Sequence, residues 1–347
     1  MKIRKTKSLL YIFSSVMVLG LSLLSFDNTK PTNSTIETVT PTPKETTKKP
    51  SSTKAPTLTP TVTPTPTPSI VDLNVAIEIQ PAEDEIGVLL TQKISSYLEE
   101  KYSSPKTNVK EISNITCYYK QGLSYVDYIV YVSYDVKYIG SNVIIPALDE
   151  YCITMNGDNF MIRSEALNDE VKEALFRARR DCESVRNLYI KETIRRFMNA
   201  KLACDEALLA ELVTDSSYIN INDISIKTQY IERYENLQFI IREVPENITE
   251  VDFITYVTND VKIVNIATLA PGMDEYMITL DEKNYPKIFY GTTSATTDEY
   301  RTWSRTQEDF QTSYNDVVNR LADAMLTDSD LLEFIERINN ATNSSNE

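Results

Sequence analysis

Residues 127–154, DYIVYVSYDVKYIGSNVIIPALDEYCIT, recur at 252–279 as DFITYVTNDVKIVNIATLAPGMDEYMIT, without a gap, at an offset of 125 residues and with 13 of 28 positions identical. A period that long exceeds a solenoid repeat, so a whole folded unit is duplicated inside one polypeptide. Both copies are rich in Tyr, Val, Ile and Thr, the composition of a pleated strand. Successive side chains on a strand point to opposite faces, which sorts the identities. Asp127, Ile129, Tyr131, Ser133, Asp135 and Lys137 match Asp252, Ile254, Tyr256, Thr258, Asp260 and Lys262 with five identities and one Ser/Thr exchange. The other face, Tyr128, Val130, Val132, Tyr134, Val136 and Tyr138 against Phe253, Thr255, Val257, Asn259, Val261 and Ile263, keeps two of six. Drift alone spreads matches over both faces, so one face has been retained.

Outward from this stretch, the first copy predicts a helix over 84–102 with Ile86, Leu89, Leu90, Ile94, Tyr97 and Leu98 on one stripe. Strands near 112–120, 125–139 and 147–155 and a short one at 160–162 follow. The second copy predicts helices over 185–202, 205–213 and 222–234, the last capped by Asn222 or Asp223, then strands near 235–243, 250–264, 272–280 and 287–290. Helix resumes over 306–338, where Asp328, Leu331 and Leu332 echo Asp205, Leu208 and Leu209 at an offset of 123. The helical arm therefore recurs too, but with no sheet after it. Its stripe of Phe310, Val317, Leu321, Met325, Leu331, Leu332 and Ile335 must pack back on the second unit or bind a partner. The fold class is α+β: two tandem units of helices packed on a curved antiparallel sheet, over 71–166 and 167–302, with a C-terminal helical arm at 303–340 and a disordered tail at 341–347.

The N-terminus carries Lys2, Arg4, Lys5 and Lys7 before an uncharged, mostly apolar run over 8–26. This is an export signal, near the roughly 20 residues that span a bilayer. Residues 1–27 fit a signal anchor better than a cleaved signal peptide, because Leu21-Ser22-Leu23-Leu24-Ser25 is a mediocre cleavage site. The basic start places everything after Asp27 outside, in a single-pass membrane protein or, after cleavage, a secreted one. Residues 28–70 hold nine of fifteen prolines and fifteen threonines, a disordered Thr/Pro-rich linker. At about 3 Å per residue in polyproline II it reaches up to roughly 120 Å, enough to cross a cell wall.

Residues 1–70 contain 9 Lys/Arg and 3 Asp/Glu, which leaves the rest of the chain 26 against 47, a net charge of −21. That surface repels phosphates and anionic lipid, so nucleic acid is excluded as a partner and membrane contact is confined to 8–26. The chain has no histidine, which removes imidazole-based triads and most zinc sites. Cys117, Cys152, Cys182 and Cys204 lack metal-ligand spacing and read as small buried thiols. Neither a cofactor nor a metal is implied, and the adjacent carboxylates of Asp149-Glu150 and Asp274-Glu275 point to opposite strand faces.

The run Tyr128-Ile129-Val130-Tyr131-Val132-Ser133-Tyr134-Asp135-Val136-Lys137-Tyr138, leading to the strand entry at Pro146, resembles the nuclear transport factor 2-like (cystatin-like) fold. More narrowly it is similar to anchored tandem proteins of that type from Gram-positive clostridia; 253–263 is a degenerate second version with Asn259 in place of Tyr134. The resemblance covers roughly 75–300 and implies fold more than activity, since this fold hosts enzymes, binders and scaffolds. The candidate interaction face is Asp127, Tyr131, Asp135 and Lys137 with Asp252, Tyr256, Asp260 and Lys262. If it lines a cone between sheet and helices, Tyr and Asp are the kit that ketosteroid isomerase-like members use for proton transfer, or a pocket for a small apolar ligand. If it is solvated, Asp and Lys pair with neighbouring strands. The expected function is non-catalytic: tandem domains that bind or scaffold an envelope protein or cell-wall component, with self-association as a further option. Trp303, the sole tryptophan, is expected to seal the junction of the second sheet and the arm.

Overall fold

The computed structural model describes residues 67–344 except 158 and 164–166. The export signal and nearly all of the linker lie outside the described residues. The chain is α+β with two antiparallel sheets. Sheet 1 has the order β1 (Gln80–Pro81), β2 (Val109–Gln121), β3 (Tyr128–Tyr138), β4 (Ile144–Asn156) and β5 (Asn159–Ile162). Sheet 2 has β6 (Ile231–Glu243), β7 (Phe253–Ile263), β8 (Ala270–Leu280) and β9 (Pro286–Ile288). The registers of the two sheets superpose: Tyr131 faces Glu150 across β3 and β4, and Tyr256 faces Glu275 across β7 and β8. Each first long strand carries a bulge at an asparagine with φ 53°, Asn114 in β2 and Asn236 in β6. Asparagine tolerates this left-handed backbone because its side chain bonds locally.

Helices α1 (Ile70–Val75) and α2 (Glu85–Tyr102) precede the first long strand, and α3 (Asp169–Asp181), α4 (Glu183–Ala203), α5 (Glu206–Leu212) and α6 (Ile221–Thr228) precede β6. Three more, α7 (Ala295–Ser304), α8 (Glu308–Thr327) and α9 (Ser329–Ser344), form the arm. α2 starts where Asp84 accepts from the Gly87 amide, as its sequence requires, and buries Leu90, Ile94 and Leu98. Ile86 and Tyr97 of its predicted stripe are exposed. The predicted 222–234 helix is shorter: Asn220 caps it, it ends at Thr228, and Ile231 already pairs with Ile263 in sheet 2. Ladder hydrogen bonds with β7 outweigh the helical pattern there.

The layers explain why β3 is apolar on both faces. Val130, Val132, Tyr134 and Val136 pack on Leu90, Ile94 and Leu98 of α2. Ile129, Tyr131 and Cys152 pack on Val171, Ala174 and Ala178 of α3 and Val185, Leu188 and Tyr189 of α4. α4 then turns its other side, Ile190, Ile194, Phe197 and Met198, to Phe253, Val257 and Tyr276 of sheet 2. A helix apolar on two sides belongs between two layers. The opposite face of sheet 2 holds Ile254, Tyr256 and Met277 against Tyr300 of α7 and Phe310 of α8. α9 wraps the end of the sheet and covers Val261 and Ile263 with Leu331 and Phe334. The arm therefore packs back on the second unit. At ~1.5–3 kcal/mol for each fully buried aliphatic side chain, the contacts of α4 with both sheets are what tie the two units together.

Candidate functional site

The retained strand face lies neither in the cone beside each unit's own preceding helix nor in solvent. It is covered mainly by the helices that follow it in the chain, joined in sheet 1 by α1 through Val71 and Val75. In sheet 1, Asp135 is 6 % exposed and accepts from Asn114 Nδ2 at 2.8 Å and from an Arg195 guanidinium nitrogen at 3.1 Å. In sheet 2, Asp260 is 4 % exposed, accepts from Asn236 Nδ2 at 2.8 Å and pairs with Arg320. Arg195 and Arg320 are themselves 125 residues apart, so the triad of bulge asparagine, strand aspartate and arm arginine occurs twice. In the first copy Arg195 also holds Glu192, which accepts from the Ser133 hydroxyl at 2.9 Å. Burial pushes the Glu192 carboxyl above its usual range, against the pull of Arg195.

Tyr131 and Tyr256 are buried, and each meets an aromatic ring of the arm above it: Tyr189 at 6.2 Å edge-on and Phe310 at 4.6 Å. Burial raises both phenols, Tyr131 well above the usual value and Tyr256 to about 12. The carboxylate nearest Tyr131 in register is Glu150 rather than Asp135. Glu150 takes Arg179 at 3.1 Å and the Tyr189 hydroxyl at 3.0 Å, and burial raises its carboxyl. Glu275, its counterpart, takes Arg301 and Arg305, each at 2.8 Å. Beside them on the same face stands a cation, Lys120 in β2 and Arg242 in β6. Lys120 donates to the Asn74 and Ile77 carbonyls at 2.9 and 3.3 Å, and burial pulls its ammonium down from the usual range.

Asp127 and Asp252 do a different task at the hairpin. Asp127 accepts from the Met155 amide at 2.7 Å and Asp252 from the Leu280 amide at 2.7 Å, closing the end of each sheet. At about 3.3 Å per residue, Asp127 stands roughly 26 Å from Asp135, so the candidate residues do not converge on one point. Lys137 is half-buried at the far end of β3, while Lys262 donates to the Ile266 and Ala267 carbonyls. Asp149 turns away from Glu150 and gathers Lys101 at 3.0 Å, Tyr151 at 2.6 Å and Tyr134 at 3.0 Å on the α2 side, as strand alternation requires.

The sequence reading set Glu150 and Glu275 aside with their neighbouring aspartates, and it missed Arg195 and Arg320. The signal was present: Arg195 and Arg320 share the offset of the strand repeat, as do Glu183/Glu308 and Tyr189/Tyr314, but α4 and α8 differ at their other positions. Trp303 is half exposed, its ring tilted against Tyr300 at 5.1 Å, so it does not seal the junction. Cys117, Cys152 and Cys182 are buried thiols and Cys204 is partly exposed, all four unpaired.

A cleft of about 240 Å³ opens between the units, walled by Tyr189, Glu192 and Arg196 of α4, Glu211 of α5, Lys287 of β9 and Tyr285 just before it. Arg196 pairs with the Glu211 carboxylate at 3.4 Å, and Lys287 donates to the Glu211 backbone carbonyl at 2.7 Å. Neither Tyr131 nor Asp135 lines it. Among the described residues no group of three His, Cys, Asp or Glu side chains is placed to hold a metal, and no helix is long and apolar enough to cross a membrane. No family model, curated protein or solved structure matches the chain.

Proposed function

We propose that this chain is a non-catalytic extracytoplasmic protein in which residues 8–26 anchor, residues 28–70 form a stalk, and two tandem nuclear transport factor 2-like units form a rigid head that binds or scaffolds an envelope protein or cell-wall component. The observation that carries this reading is the burial of the duplicated face. Tyr131, Asp135, Tyr256 and Asp260 are each at most 6 % exposed and lie under arm helices. A general acid or base must reach its substrate, and these groups are enclosed by protein. The kinship to the cystatin-like fold rests on the unit architecture, helices against a long bent antiparallel sheet with a strand entry at Pro146 and Pro271.

The full chain, produced in a Gram-positive host, tests both halves of the proposal. External protease added to intact cells is expected to cut the stalk and release the folded head, and purified cell walls or one envelope protein should retain that head. A head inaccessible from outside would contradict the location. Stoichiometric uptake of a small apolar molecule, with no retention on walls or envelope proteins, would contradict the binding role.

A further inference from the structure

The arm repeats one half of an interface and lacks the other half. In α4 the side toward sheet 1 carries Tyr189, Glu192 and Arg195, and the side toward sheet 2 carries Ile190, Ile194, Phe197 and Met198. Moved by 125 residues, the first side becomes Tyr314, Val317 and Arg320 of α8, which face sheet 2 and repeat the arginine–aspartate pair. The second side becomes Asn315, Asn319, Ala322 and Asp323. Asn315, Asn319 and Asp323 are exposed and Ala322 is half-buried. Three large apolar contacts have thus become amide or carboxylate, and the aromatic one has become a methyl group. One large apolar residue remains near this side, Leu326, 85 % exposed, which as a single side chain makes no patch.

Arrays built from stacked units need an end unit whose outer face is polar, since an apolar outer face invites another layer. We propose that α7–α9 is the terminal cap of a two-unit array: its inner stripe docks on the retained face of sheet 2, and its outer stripe is rewritten to accept neither a third sheet nor a second copy of the chain. The first end is also covered by a helix. α2 buries a single stripe of Leu90, Ile94 and Leu98 against sheet 1, and its outer surface mixes exposed Lys93, Glu99 and Glu100 with exposed Ile86, Val88 and Tyr97, so this end is covered without being made wholly polar. Both sheets are therefore covered by helices and unavailable to stacking partners, and any partner must bind edges, loops, the cleft or the outer surface of α1 and α2.

The test is the mass of the full chain in detergent micelles, read by sedimentation equilibrium. Wild type is expected as one chain per micelle, and Asn319→Arg should leave that mass unchanged. The triple variant Asn315→Ile, Asn319→Ile, Asp323→Met restores the stripe of α4 and should double the mass while its circular dichroism stays that of wild type. A wild-type dimer that Asn319→Arg dissociates would overturn the proposal. A triple variant of native circular dichroism that stays monomeric would overturn it too. Should the triple variant not fold, Asn319→Ile alone is read the same way, with a concentration-dependent rise in mass expected and none contradicting.

Discussion

α4 and α8 occupy matched places above sheet 1 and sheet 2, yet one is buried on two sides and the other on one. α4 lies between two sheets, with Ile190 and Ile194 wholly buried, whereas Asn315 and Asn319 at the same places in α8 meet water. What the two helices share is the side facing back, where Arg195 finds Asp135 and Arg320 finds Asp260. The retained strand face is thus explained by docking: it is the surface on which the next helical arm is seated. The opposite face packs against a preceding helix, α2 in sheet 1 and α4 in sheet 2, where α8 and α9 add cover over Val261 and Ile263, and its residues have changed to suit.

The largest effect should come from removing contacts that only α4 makes. Ile194→Ala is expected to cost ~2–5 kcal/mol in urea unfolding, because it opens a void between α4 and sheet 2. Asn319→Ala, its exposed counterpart, should stay within about 0.5 kcal/mol of wild type. Similar losses at both positions would break the comparison.

Next come the shared ion pairs. Arg195→Met leaves two carboxylates, Asp135 and Glu192, each with a side chain 8 % exposed and no guanidinium partner, and should cost about 3 kcal/mol. Arg320→Met removes a side chain 44 % exposed, so solvent screens the loss and about 1 kcal/mol is expected. Equal costs would place the two arms in equivalent environments, against the layering described above.

Asn114→Ala and Asn236→Ala should each cost about 1–2 kcal/mol, because each loses a hydrogen bond to a buried carboxylate and forces alanine into left-handed backbone. The corresponding glycine variants, which relieve the backbone alone, should recover part of that loss. A glycine variant no better than alanine would show that the bulge is not under backbone constraint.

The smallest effect is a pH dependence confined to the first unit's interface. Burial raises Glu150 and Glu192 above their usual 4.5. The folded state therefore holds these protons more tightly than the unfolded chain. The stability they contribute is complete below 4.5 and is lost as pH rises through the raised values. On acidification from mildly alkaline conditions, wild type should gain on Glu150→Gln in thermal melting. A gap independent of pH would contradict the burial of Glu150.

Much of this was legible in the chain. The duplicated strand run and the α2 stripe of Leu90, Ile94 and Leu98 carry period-2 and period-3.6 signals that burial on both sides of a sheet does not erase. The helix ends near Thr228 and Ser294 were not legible, because pairing of Ile231 with Ile263 and capping by Ser294 are set by tertiary contacts and one hydroxyl. α1 and α3 were missed although Ser69 with Asp72 forms a reciprocal cap and Asn168 accepts from the Val171 amide. The site was half legible. Strand alternation singled out Tyr131, Asp135, Tyr256 and Asp260, but nothing in a linear sequence says that the cover for Asp135 comes from Arg195, sixty residues on.

Two double-mutant cycles, Asp135→Asn with Arg195→Met and Asp260→Asn with Arg320→Met, ask whether the retained face seats the arms. Local stability is read by native-state hydrogen exchange of α3–α4 in the first cycle and α7–α8 in the second. Coupling energies of about 0.5–3 kcal/mol are expected in both cycles, larger in the first. Additive losses in either cycle, with no coupling between aspartate and arginine, would contradict docking as the reason this face was kept.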